Sequence, residues 1–197
     1  MNFTVRKMIL FISFFLTYSA LGQSINERHL SSSCLSDLGD QVWIESSEFT
    51  MGDDSGYREE GPAHKVQLSG FWIDTHEVTN AQFGKFVEET GYITVAESAP
   101  NPADWPVGVS AEFLEPGSVL FTPPSAGGSL DNWWSWVVGA NWRHPAGPDS
   151  NIVGKASYPV IHIAFEDAKA YAEWAGRSLP TEAQFELAAR NKKNQRF

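Results

Sequence analysis

The stretch that decides the fold runs from Gly139 to Arg190: GANWRHPAGPDSNIVGKASYPVIHIAFEDAKAYAEWAGRSLPTEAQFELAAR. It opens with a loop rich in proline and glycine, which together favour a rigid, sharply turned backbone. Alternating apolar residues then predict a strand over 158–165, and a narrow apolar stripe predicts a helix over 166–175. Thr181 and Gln184 form the capping-box pattern that begins a second helix, for which Phe185, Ala188 and Ala189 are the predicted buried face. The pattern is typical of an α+β domain.

The opening loop presents side chains that could line a ligand site. Rigid loops often carry binding residues, so we treat five side chains as candidates for a substrate groove or for a purely structural loop. They are Asn141, Trp142, Arg143, His144 and Asp149. The structural interpretation pairs Arg143 with Asp149 and gives His144 a hydrogen-bonded role. No His or Cys stands at ligand spacing from His144, and the sequence therefore predicts no metal site in this loop.

Upstream of this stretch the sequence predicts short strands and one helix. Apolar residues alternate with polar ones after residue 41 and again over 64–74, which is the pattern of half-buried strands. An apolar stripe at helical spacing follows, with Thr79 or Asn80 as N-cap and Gly91 as the stop. We therefore expect a core-facing helix over about 81–90.

Residues 92–139 contain many prolines and glycines but also large aromatic rings. A long loop without secondary structure is uncommon inside a compact domain, and disordered segments are poor in aromatics. We therefore predict an ordered, irregular segment pinned by its rings. Trp133, Trp134 and Trp136 have two interpretations, a platform for stacking sugars or aromatic packing that replaces regular structure. The second is favoured.

The N-terminal residues have the pattern of an export signal. Arg6 and Lys7 precede an apolar run that is too short to span a bilayer, and small residues end it at Gly22. We expect a signal peptide over 1–22, a flexible linker over 23–40 and a partial domain over 41–197. This predicts an exported protein, periplasmic or secreted, with no membrane contact after cleavage.

The charge and the cysteine content exclude several functions. The net charge is −10, which argues against nucleic-acid binding because phosphates require Lys and Arg patches. Cys34 is the single cysteine, so no intrachain disulfide is expected. None of the common hydrolase, zinc-protease, P-loop or dinucleotide-binding motifs is present.

Several motifs in the same order resemble the formylglycine-generating enzyme, or sulfatase-modifying factor, family. They are Phe49-Thr50-Met51-Gly52, Gly70-Phe71-Trp72-Ile73-Asp74, Glu77-Val78-Thr79-Asn80, Gly139-Ala140-Asn141-Trp142-Arg143-His144-Pro145 and Leu179-Pro180-Thr181-Glu182-Ala183. The resemblance runs from about residue 41 to 190. It implies an α+β, loop-rich fold distantly similar to C-type lectins, with little regular secondary structure.

The resemblance also implies a function. Family members oxidise the cysteine of a sulfatase Cys-x-Pro-x-Arg motif to formylglycine with molecular oxygen. In this chemistry a pair of thiols binds copper and calcium is structural, and thiolates suit Cu(I). The expected partner of the whole protein is therefore a sulfatase polypeptide, and its expected cofactors are copper and calcium.

The sequence also departs from the family pattern. The family's copper-binding cysteines and calcium ligands follow the part matched by 179–190, so we expect an incomplete domain that is inactive as given, with no catalytic or metal-binding residue. Ala164 replaces the usual Ser N-cap, which weakens that helix start by about 1 kcal/mol. The alternatives are a non-catalytic binding module on the same fold and a carbohydrate-binding protein that uses its tryptophans.

Overall fold

A computed structural model describes Gly39, 41–123 and 133–190. This part of the chain contains three small antiparallel sheets, three α-helices and four short 3-10 helices. The strands are β1 (Gln41–Ile44), β2 (Ser47–Met51), β3 (His64–Leu68), β4 (Phe71–Asp74), β5 (Gly117–Phe121) and β6 (Trp134–Val138). The helices are α1 (Asn80–Thr90), α2 (Phe165–Trp174) and α3 (Glu182–Ala189). The expected signal peptide and nearly all of the expected linker lie outside the described residues. No helix in the described ranges is long and apolar enough to cross a membrane.

The first four strands form two nested pairs. β2 and β3 pair as an antiparallel hairpin, and β1 and β4, which flank that hairpin in the sequence, pair with each other. This pairing sets Trp43 opposite Trp72, and their ring centroids lie 5.4 Å apart. The alternating pattern of residues 41–51 and 64–74 therefore predicted extended structure in both ranges, and the structure divides each range into two strands.

α1 has the boundaries that its sequence signals predict. Thr79 is the N-cap, with a complete capping box shared with Gln82, and Gly91 ends the helix in the left-handed conformation at φ +68°. Because Phe83, Phe86 and Val87 share one face, the helix buries that face in the core.

The core is a cluster of aromatic rings around Phe83. Its centroid lies 5.3 Å from those of Phe86 and Trp142 and 5.9 Å from that of Tyr171. All four residues are at most 5% exposed. Each ring contributes a large apolar area, so four rings from three separated segments of the chain make up the centre of the core.

A buried carboxylate joins α2 to the start of the irregular segment. Asp167 is fully buried. One of its oxygens accepts hydrogen bonds from the Tyr92 hydroxyl and the Val95 amide, and the other accepts from the Ala164 amide. Burial, and then the hydrogen bond to Asp167, raises the pKa of Tyr92. Since the Ala164 methyl cannot accept a bond at the N-cap, Asp167 supplies the only half of a capping box that this helix has.

The predicted strand over 158–165 is wrong. Only a single bridge forms there, between Pro159 and Thr79, and His162 adopts a left-handed backbone with φ 61°. Pro159 has no amide proton to extend a ladder, and the left-handed residue ends the extended run. His162 is instead held by its ring, with Nδ1 2.8 Å from the Ser118 hydroxyl and Nε2 2.9 Å from the Pro145 carbonyl.

Two further predictions need correction. The segment 92–139 is ordered over its described part, but it contains the β5–β6 ladder and short 3-10 helices as well as irregular chain. α3 begins at its predicted capping box, yet Phe185 is 63% exposed and no residue of this helix is fully buried. The helix is attached by polar contacts instead: Glu186 accepts from the Gly52 amide, and Arg190 donates to the Gly52 carbonyl.

Replacing Asp167 with Asn should destabilise the protein by about 2–4 kcal/mol. The NH2 group of Asn would face at least one of the three N–H or O–H groups that now donate to Asp167, and that buried donor would lose its acceptor. Urea denaturation monitored by tryptophan fluorescence measures the change. Asp149→Asn, at an exposed position, is the matched control and should stay within about 0.5 kcal/mol. Equal small losses in both variants would contradict the assignment.

The Tyr171 hydroxyl has no hydrogen-bond partner among the described residues, and burial raises the pKa of this phenol to about 12. In the unfolded chain this phenol ionises near pH 10. Between about pH 10 and pH 12 the unfolded chain has therefore lost a proton that the folded chain keeps, so the free energy of unfolding should fall as the pH rises through this range. Below this range Tyr171 should have no such effect. Tyr171→Phe should therefore change stability by less than about 1 kcal/mol at pH 7 and reduce the alkaline loss.

Denaturation curves from pH 7 to 11.5 compare this variant with the wild type, with Tyr158→Phe at an exposed position as the control. An unchanged alkaline loss in Tyr171→Phe would show that the buried phenol does not titrate as stated.

Candidate functional site

The loop at 139–150 is shaped by its own polar side chains. Asn141 Oδ1 accepts from the amides of Arg143 and His144 at 2.9 and 3.1 Å, and its Nδ2 donates to the Gly139 carbonyl. Gly139 has φ +77°, and a Cβ there would lie 2.7 Å from the Pro148 ring. Only glycine meets both constraints without strain. The sequence from Gly139 to Asn141 therefore determines the local turn.

His144 closes the other side of the loop. Its Nδ1 lies 2.7 Å from the Ser150 carbonyl, and because a carbonyl only accepts, this ring nitrogen carries the proton. The Ser150 hydroxyl donates to the Gly147 carbonyl and accepts from the Ala146 amide. These contacts agree with the structural interpretation of this histidine.

Trp142 is part of the core, where it is 4% exposed and meets the edge of Phe83. Its indole Nε1 is buried without a hydrogen-bond partner among the described residues. The ring therefore anchors the loop to α1.

Arg143 pairs with Glu97, and the expected pairing with Asp149 is wrong. The Nη1–Oε1 distance to Glu97 is 2.7 Å, and the guanidinium carbon lies 4.2 Å from the centroid of the Trp142 ring. Glu97 is already fixed, because its other oxygen accepts from both the amide and the hydroxyl of Thr94. The sequence could not predict this pair because 46 positions separate its members. Asp149 is exposed at the rim of the loop.

The five candidates thus include four that are committed to loop or core contacts and one that faces solvent. The structure brings Asn141, Trp142, Arg143 and His144 together on a rigid turn. Whether any of them contacts a substrate stays a prediction.

Two concave regions lie outside this loop. One, of about 810 Å³, is lined by residues 93–105 together with β5, β6 and the turn at His162. The other, of about 760 Å³, lies between β4 and the helices α2 and α3. In the second, Arg177 donates to both carboxylate oxygens of Asp74 at 2.8 and 2.9 Å. Neither region was apparent from the sequence, because each is assembled from segments that are far apart in the chain.

The described residues do not fit the copper and calcium sites that the resemblance implies. No three His, Cys, Asp or Glu side chains come together there to hold a metal ion. The loop carboxylates of Asp53 and Asp54 accept hydrogen bonds from the amides of Ser55 and Ala63. Cys34 lies outside the described residues. It is the chain's single cysteine, so the sequence has no second thiolate that could bind Cu(I) together with it.

Asn141→Ala should lower stability by about 1–3 kcal/mol, because it removes the acceptor of two loop amides at once. Asn151→Ala is the control, since Asn151 accepts a single exposed amide bond, from Val153. Urea midpoints measure both variants, and the control should change by less than about 0.5 kcal/mol. Indistinguishable midpoints would contradict the loop-shaping role.

Comparison with known proteins adds to this geometry. The family described as "Sulfatase-modifying factor enzyme 1-like domain" matches residues 26–197. The formylglycine-generating enzyme of Mycobacterium tuberculosis is 48% identical over 78% of this chain and 52% of its own length. The mouse formylglycine-generating enzyme is 42% identical over 78% of this chain and 40% of its own length.

Another mouse relative is named "Inactive C-alpha-formylglycine-generating enzyme 2", with 40% identity over 76% of this chain and 46% of its own length. A solved structure of PvdO from Pseudomonas aeruginosa is 19% identical over 70% of this chain and 40% of that one; its TM-score of 0.38 supports no conclusion.

The chain spans about half the length of the curated relatives it matches. The mixed helix and strand content and the small sheets are consistent with an α+β fold, while the distant similarity to C-type lectins stays a prediction. Because the family matches well over half of the sequence, this chain belongs to the sulfatase-modifying factor enzyme 1-like family.

Proposed function

We propose that this chain supplies the scaffold part of a formylglycine-generating oxidase, which converts a cysteine in a sulfatase Cys-x-Pro-x-Arg motif to formylglycine. The observation that carries the proposal is the 48% identity to an enzyme of that name over 156 residues. The geometry supports a scaffold role, because Trp142 packs against Phe83 in the core and Arg143 pairs with Glu97.

The oxidation itself requires a pair of thiolates, which this sequence does not contain. Copper chemistry of this kind uses two thiolates, and Cys34 is the single cysteine of this sequence. We therefore propose that residues 23–197 alone do not oxidise the substrate cysteine. Copper and calcium, with a sulfatase as partner, belong to the proposal for a whole protein, as does export to the periplasm or beyond the cell.

The second candidate is a non-catalytic binding module. It is favoured by the 40% identity to a relative that is itself named inactive. In this case the chain would bind a sulfatase segment without changing it. The two candidates differ in what a full protein would do to the bound cysteine, and not in the fold described above.

Incubating residues 23–197 with a Cys-x-Pro-x-Arg peptide, Cu(I), oxygen and a thiol reductant that supplies the two further electrons should give no formylglycine, because a two-thiolate site is lacking. Mass spectrometry of the peptide measures conversion, and the Mycobacterium tuberculosis enzyme serves as the positive control. Turnover by residues 23–197 would overturn the scaffold proposal.

Fluorescence anisotropy of a labelled peptide separates the two candidates. Saturable binding without conversion favours the binding module. A scaffold that lacks the rest of its site should bind the peptide no better than a scrambled sequence.

A further inference from the structure

The aromatic residues of 92–139 separate into two sets with different surroundings. Phe121, Trp133 and Trp134 cluster at one end of the β5–β6 pair, with centroid distances of 5.1 and 5.7 Å, and Trp134 is 65% exposed. Trp105, Phe113 and Trp136 form the second set and lie at or next to the cleft of about 810 Å³. Trp105 and Trp136 of the second set line this concavity, and concave regions are where small ligands bind.

The shape of this cleft suits a small ligand. Its volume falls within the range of about 300–1,000 Å³ that is usual for ligand sites. Trp105 stacks on Phe113 at 5.9 Å, and Trp136 stands at 77° to Trp105 with centroids 6.5 Å apart. Two indole rings therefore meet as a corner in the cleft wall.

The polar lining narrows the chemistry of the ligand. Asn101, Asp104 and Ser98 line the cleft and are exposed. The Ser98 hydroxyl donates to the Thr94 carbonyl, and the Asn101 Oδ1 accepts from the Ala103 amide, so the Asp104 carboxylate is the group best placed to bond a ligand. No Lys or Arg lines the cleft in the described part of the chain, which disfavours phosphates and other anions. Ring faces pack against apolar C–H surfaces, while carboxylate and amide groups bond hydroxyls.

We propose that this cleft binds a neutral carbohydrate, with a sugar ring against Trp105 and its hydroxyls bonded to Asp104. The inference goes beyond the proposed oxidase function and does not rest on it. It places the sugar in a concave site at Trp105, and not on the exposed Trp133 and Trp134 as in the platform considered from the sequence.

The cleft is built on fixed groups, so little ordering is required on binding. The His162 ring is held between the Ser118 hydroxyl and the Pro145 carbonyl, and both His162 and Ser118 line the cleft. Val95 also lines the cleft, and its amide is held by the buried carboxylate of Asp167. The walls are therefore preorganised.

Titration calorimetry of the full chain with N-acetylglucosamine, galactose, mannose and their disaccharides tests the proposal. At least one probe should bind saturably. Asp104→Asn should then raise Kd about tenfold, as expected for the loss of one charge-assisted hydrogen bond. Trp105→Ala should weaken binding by at least about tenfold, and Trp134→Ala should leave Kd within about twofold.

Circular dichroism would show whether Trp105→Ala folds. If it does not, Asp104→Asn still tests the proposal, because Asp104 is exposed and its substitution should not disturb the fold. Absence of saturable binding to every probe would overturn the proposal. Binding that survives Asp104→Asn and Trp105→Ala but is lost in Trp134→Ala would also overturn it, because it would place the sugar on the exposed cluster.

Discussion

The buried carboxylate of Asp167 is the interaction on which the rest of the structure depends. It accepts three hydrogen bonds with no exposure to solvent, and its donors come from the segment at 92–95 and from the start of α2. A buried carboxylate is tolerated only when its oxygens are satisfied in this way. Because Tyr92 and Val95 are 75 and 72 positions away in the chain, this one side chain joins the irregular segment to the helical core.

From this point a series of polar contacts reaches the loop at 139–150. The fixed segment places Thr94, which holds Glu97, and Glu97 in turn holds Arg143 over the Trp142 ring. Trp142 then enters the core beside Phe83. The loop is therefore positioned from both sides, by burial of one ring and by a charged pair. This accounts for a well-held turn in a fold whose sheets, over the described residues, each contain two strands.

The sequence predicted those features that depend on neighbouring residues. Capping signals at Thr79 and Thr181 placed two helix starts correctly, and period-two alternation identified the two extended ranges that contain β1 to β4. Features that depend on distant partners were missed. His162 interrupts an apolar run that would otherwise read as a strand, because its ring bonds Ser118 and Pro145. Arg143 has an acidic residue nearby in the sequence, yet its partner is Glu97. The candidate loop was identified from its composition, but the clefts required the tertiary arrangement.

Amide hydrogen exchange of Val95 and Ala164 in the wild-type chain tests the central claim most directly. If Asp167 holds both segments in the core, these two amides should exchange only through global unfolding, with protection equal to that of the α1 core amides. Exchange of Val95 at the rate of an exposed loop, while the α1 amides stay protected, would show that the segment opens independently and would contradict the account.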